Sequence, residues 1–345
     1  MSAKQILSVA VVGCGYWGKH YVRITNTLNT TKCVYVCDTF QPALDKIASQ
    51  YPSVKVTTSF EVVCSSPDVN AVIVAVPATK HYEVARQVLL SGKHLLIEKP
   101  FTTSEAEGKE LQQLARDKQL TILVGHTFIY NDRVKKMKEI VCKGTIGDIH
   151  TIYAQRTNLG PIRHDTSAIW DLAPHDLSIF LYLLDGQPPV AVSATGHSVL
   201  QTTEHFDVAF VTLFFANSIV GHIHVSWLDP QKVRTFNLVG SKGRLAFNDM
   251  NSTEPLRIYH KGVEGREKFY SDGTQRDFTF RDGDIVSPVV PNSEPLTAQV
   301  CDFVNCCISN TAPQSGADMG IAITKILLAV EKSCKLGGQK IDLCA

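Results

Sequence analysis

The chain lacks a surplus of charge of either sign: 34 Lys and Arg stand against 33 Asp and Glu. Without a basic excess there is no electrostatic footprint for nucleic acid or an anionic membrane surface. No apolar run approaches the ~20 residues that a membrane-spanning helix requires. An early lysine and a short apolar run open the sequence, but glycines follow where a signal peptide would carry its cleavage site, so the run reads as a strand. C-x-x-C is missing too. The 10 cysteines are scattered, with Cys306-Cys307 the only adjacent pair. That spacing argues against a disulfide frame or a zinc site and for reduced, buried thiols in a cytoplasmic protein without a metal.

What is present is an ordinary globular composition, 44% hydrophobic and 19% charged, over 345 residues, enough for two domains with separate cores. Its most informative stretch is Ile6 to Asp38. The run from Ile6 to Val12 is apolar and rich in β-branched residues, as a parallel strand buried on both faces would be. It leads into Gly13-Cys14-Gly15-Tyr16-Trp17-Gly18, a complete G-x-G-x-x-G. In a dinucleotide fold the first glycine makes the tight turn, the second admits the pyrophosphate and the third lets helix and strand pack closely. A second strand, Cys33 to Cys37, ends at Asp38, about 20 residues after the last glycine, where the fold places its ribose-binding acid. A carboxylate there accepts from a 2′-hydroxyl and repels a 2′-phosphate, which favours NAD over NADP. The alternative role for Asp38 is to cap a helix beginning near Pro42.

Strands and helices then alternate. Helix is predicted around Leu44 to Tyr51, strand at Ala71 to Val76, helix from about His81 to Ser91, strand at His94 to Ile97, helix from Ser104 to Lys118 and strand at Thr121 to Val124. A weaker segment, Val54 to Val63, lies between the first helix and the next strand. This alternation predicts a doubly wound parallel sheet over residues 1–125, with ligands beyond the carboxyl ends of its strands. Two exits stand out there, Pro77 to His81 and Glu98-Lys99-Pro100. Lys99 is placed at the nicotinamide end, with its backbone restricted by the following proline.

Residues 126–345 read differently. A helix from about Ser167 to Leu184 is followed by strands at Asp207 to Phe215, Ser218 to Trp227, Val233 to Val239 and Arg244 to Asn248. Successive strands without helices between them predict a large, mostly antiparallel sheet, so the fold class is α/β with a C-terminal α+β domain. Helices at Leu296 to Ile308 and Met319 to Lys335 close the chain, the last able to pack back on the first domain. The strand around Phe210 to Phe215 is apolar on both faces, which favours burial of one face in a homodimer or homotetramer.

The densest chemistry in this half is Trp170-Asp171-Leu172-Ala173-Pro174-His175-Asp176. Asp171 and His175 are four apart, on one helical face, and Pro174 suggests a first turn or a kink. An imidazole can take a proton from a hydroxyl while a neighbouring carboxylate orients it. His126, Tyr130, Arg156, Asn158, Arg163 and His164 lie in loops or strand ends that could face the same cleft. The two arginines suit a phosphate or carboxylate.

The Gly13 to Gly18 turn, Glu98-Lys99-Pro100, and Asp171 with His175 together resemble the glucose-fructose oxidoreductase and inositol dehydrogenase family, Gfo/Idh/MocA. The wording around Arg156 to Gly160 and Trp170 to Leu177 resembles members acting on nucleotide-activated amino sugars. The resemblance implies Lys99 and His175 as the catalytic pair with Asp171 in support. It places Glu98 and Pro77 beside the cofactor, on the same side as Tyr16, Trp17 and His81. The implied activity is NAD-dependent oxidation of a secondary ring hydroxyl, at C3 of a UDP-N-acetylhexosamine or its uronate. Inositol, a free sugar or a sugar phosphate is the alternative substrate. A regulatory protein that binds NAD without turnover is the alternative of another class.

Overall fold

A computed structural model of the chain describes residues 6–160, 162–163, 166–200, 205–264, 267–270, 273–276 and 278–343. The chain divides into two compact units, Met1–Tyr130 with Ser293–Lys325, and Asn131–Asn292 with Ile326–Ala345.

In the first unit the order is β1 (Leu7–Val12), α1 (Tyr16–Thr27), β2 (Thr31–Cys37), α2 (Gln41–Gln50), β3 (Lys55–Thr57), α3 (Phe60–Ser65), β4 (Ala71–Val74), α4 (His81–Leu90), β5 (His94–Ile97), α5 (Glu105–Asp117) and β6 (Ile122–Val124). The six strands lie in the order β3-β2-β1-β4-β5-β6, all parallel. Strands β1, β4 and β6 are buried nearly throughout, which is why they read as continuous apolar runs rather than alternating ones. The weak segment from Val54 to Val63 proves to be β3 followed by α3. The Thr57 hydroxyl accepts the Ser59 N–H at 3.1 Å and turns the chain between them.

Register decides where the site can be. Val12 pairs with both Cys37 and Val74, Val74 with Ile97, and Ile97 with Val124. The strands therefore end in line, and the residues that follow, Gly13, Asp38, Ala75 to Pro77, Glu98 and Gly125, lie along one edge of the sheet. The strand order reverses between β1 and β4, the switch point at which such sheets open a crevice.

The second unit begins with α6 (Asp132–Cys142), β7 (Ile149–Thr157) and α7 (Ala168–Leu183). Six strands follow, β8 (Ala191–His197), β9 (Val208–Phe214), β10 (Val220–Ser226), β11 (Val233–Gly240), β12 (Gly243–Asn248) and β13 (Leu256–Tyr259). Next come β14 (Gly262–Glu264), β15 (Glu267–Tyr270), β16 (Gly273–Arg276), β17 (Thr279–Arg281) and β18 (Ile285–Val286); α8 (Pro295–Ser309) and the start of α9 (Ala317–Lys335) belong to the first unit, and the end of α9 and β19 (Ile341–Asp342) to the second. Nine strands form one sheet in the order β18-β13-β12-β11-β7-β10-β9-β8-β19. The sheet is mostly antiparallel, but β7 and β10 at its centre pair in parallel, because α7 carries the chain across between β7 and the strands beyond. Phe180 of α7 stands edge-on to Phe236 of β11, ring centroids 5.1 Å apart. On β9, Ala209, Val211 and Leu213 are buried, while Phe210 on the opposite face is 56% exposed.

Candidate active site

The glycine turn is shaped by two contacts that only glycine allows. Gly13 has φ +91°, and a Cβ there would press on the Ala75 carbonyl. A Cβ on Gly18 would overlap the Gly13 carbonyl oxygen, so α1 could not pack so close to β1. Nothing lies within 4 Å of where a Gly15 Cβ would be, which leaves an open approach to the backbone. Gly15 caps α1 without a side-chain hydrogen bond, and the first turn carries no acid, so its N–H groups and dipole suit an anionic pyrophosphate. Tyr16 and Trp17, both exposed, set their rings at right angles with centroids 5.2 Å apart.

Asp38 leaves the end of β2 and turns back to this loop. One carboxylate oxygen accepts the Cys14 N–H, and the other accepts the Phe40 N–H at 2.8 Å. The carboxylate is thus fixed beside the turn, and α2 begins at Gln41 with Phe40 rather than Asp38 as its cap. These residues fit a dinucleotide: an open backbone cradle at a helix N-terminus and an anchored acid one strand away. Burial pushes the Cys14 thiol up to about 12, with Asp38 adding to the effect, so it is no thiolate nucleophile at neutral pH.

The end of β5 holds the second group. Lys99 is half-buried, and its N–H donates to Glu98 Oε2 at 3.2 Å. Glu98 itself is 6% exposed, and its Oε1 accepts the Tyr21 hydroxyl at 2.7 Å. Burial raises the Glu98 carboxyl above the usual range, against the lowering pull of Tyr21 and Lys99. His81, the first residue of α4, is also buried. Its Nδ1 lies 2.6 Å from the Pro100 oxygen and its Nε2 3.0 Å from the Val76 oxygen. Pro77, between these segments, is exposed. His126, just past β6, is fully buried, and neither ring nitrogen has a hydrogen-bond partner among the described residues. Burial first, and then the Lys99 charge, hold its imidazole down at about 3, so it is neutral at physiological pH.

In the second unit the candidate residues are on α7. Ser167 is buried, and its hydroxyl accepts the Trp170 N–H at 3.4 Å, starting the helix. Asp171 falls in the first turn and His175 in the second. The helix continues through Pro174, so that proline lies past the first turn. Of the sixteen residues in α7, only Asp171, Leu172, His175 and Tyr182 are not buried. Asp171 and His175 therefore share one partly exposed edge of a helix that is mostly buried. Arg163 Nη1 reaches Asp171 Oδ1 at 3.4 Å.

Several residues expected at the substrate make hydrogen bonds within the protein. Arg156 does not stand with Arg163 before an anion: its Nε and Nη2 donate to the two carboxylate oxygens of Asp176 at 2.9 and 2.8 Å, inside the unit. Tyr130 is buried, with its hydroxyl donating to Asp302 at 2.7 Å and lying 3.1 Å from the Ser315 hydroxyl. Asn158 donates to the Gly160 carbonyl within its own loop. His164 lies outside the described residues. Sequence reasoning missed Tyr21, Gln299 and Asp176, whose parts depend on partners distant in the chain.

Comparison with known proteins accords with this construction. Residues 7–126 match the family described as "Oxidoreductase family, NAD-binding Rossmann fold", and residues 134–246 match the "GFO/IDH/MocA C-terminal domain". A UDP-N-acetylglucosamine 3-dehydrogenase of Acidithiobacillus ferrooxidans is 30% identical over 57% of this chain and 60% of its own length. An inositol 2-dehydrogenase of Gluconacetobacter diazotrophicus is 28% identical over 52% and 55%. The crystal structure of GenD2 from gentamicin A biosynthesis, in complex with NAD, superposes with a TM-score of 0.84 at 21% identity, covering 100% of this chain and 98% of that one. With both domains matched in order, the chain belongs to the Gfo/Idh/MocA family of oxidoreductases.

Proposed function

We propose that this protein oxidises a secondary ring hydroxyl of a nucleotide-activated sugar, C3 of a UDP-N-acetylhexosamine or its uronate, to a ketone. The observation that carries the reading is the partly exposed edge of α7, where a carboxylate and an imidazole stand one turn apart on a helix that is otherwise mostly buried. NAD, when bound, supplies the nicotinamide carbon that takes the hydride from the carbinol carbon. His175 takes the hydroxyl proton, and Asp171 orients the imidazole. Lys99 donates to the same oxygen and stabilises the negative charge that develops on it. Asp38, held by the glycine turn, accepts from the ribose hydroxyls and disfavours a 2′-phosphate, so NAD is preferred to NADP.

Similarity to a UDP-N-acetylglucosamine 3-dehydrogenase supports the nucleotide-sugar class, and similarity to an inositol 2-dehydrogenase supports the second reading, a free polyol. Mass spectrometry of the freshly purified protein, followed by a panel of nucleotide sugars, free sugars and inositol read by nicotinamide absorbance, separates the two. Turnover of a UDP-sugar with inositol inert is the expected result; turnover of inositol alone reverses the assignment. Phe210 stacks on His224 on the exposed face of the large sheet, ring centroids 4.3 Å apart, and this supports assembly of the protein as a homodimer or homotetramer through that face.

A further inference from the structure

A lysine side chain has a flexible four-carbon stem, so its precision at a reacting oxygen depends on how firmly its own main chain is held. Both neighbours of Lys99 are gripped by side chains from elsewhere in the first unit. On one side, Glu98 accepts the Tyr21 hydroxyl at 2.7 Å and the Lys99 N–H at 3.2 Å. Tyr21 is itself fixed, for its oxygen accepts from Gln299 Nε2 at 3.0 Å, and Gln299 Oε1 accepts the Thr127 hydroxyl at 2.8 Å. Tyr21 and Gln299 are wholly buried. On the other side, the Pro100 carbonyl faces His81 Nδ1 at 2.6 Å.

We propose that Tyr21 and His81 are positioning residues for Lys99, Tyr21 acting through the Glu98 carboxylate and His81 through the Pro100 carbonyl. The proposal rests on the assignment of Lys99 to the reacting oxygen. Tyr21 lies on α1, about 8 Å along the axis from the helix start at the glycine turn. One helix thus carries both the cofactor cradle and the anchor of the lysine. Both acceptors of His81 are carbonyls, and a neutral ring can donate to only one of them. The shorter distance assigns the proton to Nδ1 and the bond to Pro100. Burial, reinforced by the Lys99 charge, holds that imidazole below its ordinary value against the opposing pull of the Pro100, Val76 and Phe101 backbone.

The test uses the full chain carrying Tyr21→Phe, His81→Leu or His81→Asn, each also combined with Lys99→Met. Asparagine keeps a donor near the place of Nδ1, and leucine does not. Hydrogen exchange of the Lys99 amide, read by mass spectrometry, needs no substrate. We expect it to speed up about tenfold in Tyr21→Phe and His81→Leu and to stay near the parent value in His81→Asn, in proteins that still melt in one cooperative transition. With UDP-N-acetylglucosamine and NAD as the assay pair, kcat should fall about tenfold in the first two variants and no further in the Lys99→Met background. Unchanged exchange in both Tyr21→Phe and His81→Leu overturns the proposal, as does an equal loss of kcat with Lys99 already replaced. Full kcat in Lys99→Met alone overturns the assignment of Lys99, and the positioning role with it. Should His81→Leu fail to fold, Tyr21→Phe, which removes one oxygen from a buried ring, carries the exchange test.

Discussion

Arg156 of β7 and Asp176 of α7 meet in a bidentate ion pair, Nε to Oδ2 at 2.9 Å and Nη2 to Oδ1 at 2.8 Å, with side-chain exposures of only 6% and 2%. The pair ties the helix that carries Asp171 and His175 to the middle of the large sheet. Asp176 directly follows His175, so whatever fixes Asp176 also fixes the backbone beneath the imidazole.

Breaking this pair on one side leaves a buried charge uncompensated. Arg156→Met should destabilise the second unit by about 3–5 kcal/mol. The double variant Arg156→Met with Asp176→Leu should recover much of that loss, because no charge is then stranded. Urea titrations of the four proteins in the double-mutant cycle measure it; equal losses in the single and double variants would show that the pair is not what holds the helix.

Lys99→Met keeps the length of the side chain and removes its charge. Turnover should fall by at least ~100-fold, the scale of one catalytic proton-transfer group, while NADH still binds with parental affinity. Fluorescence titration with NADH and steady-state kinetics on the substrate found by the panel make the comparison. Near-normal turnover would take Lys99 out of the chemistry.

The role proposed for Asp38 is to set the cofactor preference through its charge. Asp38→Ser removes the carboxylate but keeps a small hydroxyl, and the ratio of kcat/KM for NAD over NADP should drop by about tenfold or more. The Cys14 and Phe40 N–H groups lose their acceptor in the same step, so NAD binding itself should weaken. A ratio that does not move would assign the discrimination to other groups.

His126 predicts an acid limb in stability. Its imidazole is held down at about 3 in the folded protein, against an ordinary value of 6.5. Between those values the unfolded chain binds a proton that the folded one refuses, so stability falls as pH drops below about 6.5. At about pH 5 the cost is of the order of 2 kcal/mol. His126→Phe should flatten the slope between pH 4 and 6 by about one proton, as read from denaturation midpoints across that range. A parallel curve for parent and variant would mean that the buried imidazole does not control the limb.

The first sheet and its turn were legible from one dimension because they rest on consecutive residues. Burial on both faces writes a strand as an apolar run, and the turn needs glycine at set spacings with Asp38 one strand later. Asp171 and His175 were legible for the same reason, since a helix brings positions four apart together. The start of α7 at Ser167 was legible too, and it puts Pro174 past the first turn, whereas the proline taken alone suggested a first turn or a kink.

Local spacing therefore settled the dinucleotide turn, the acid beside it, the lysine at a strand end and the acid–imidazole edge of α7. Folding in three dimensions assigned the roles that need distant partners. Tyr21 reaches Glu98 across 77 positions and Gln299 across 278, and Arg156 finds Asp176 rather than an anion beside Arg163. A buried polar side chain must take whatever partner the packing brings to it, and that choice is made by the low-dielectric interior, not by neighbours in the chain.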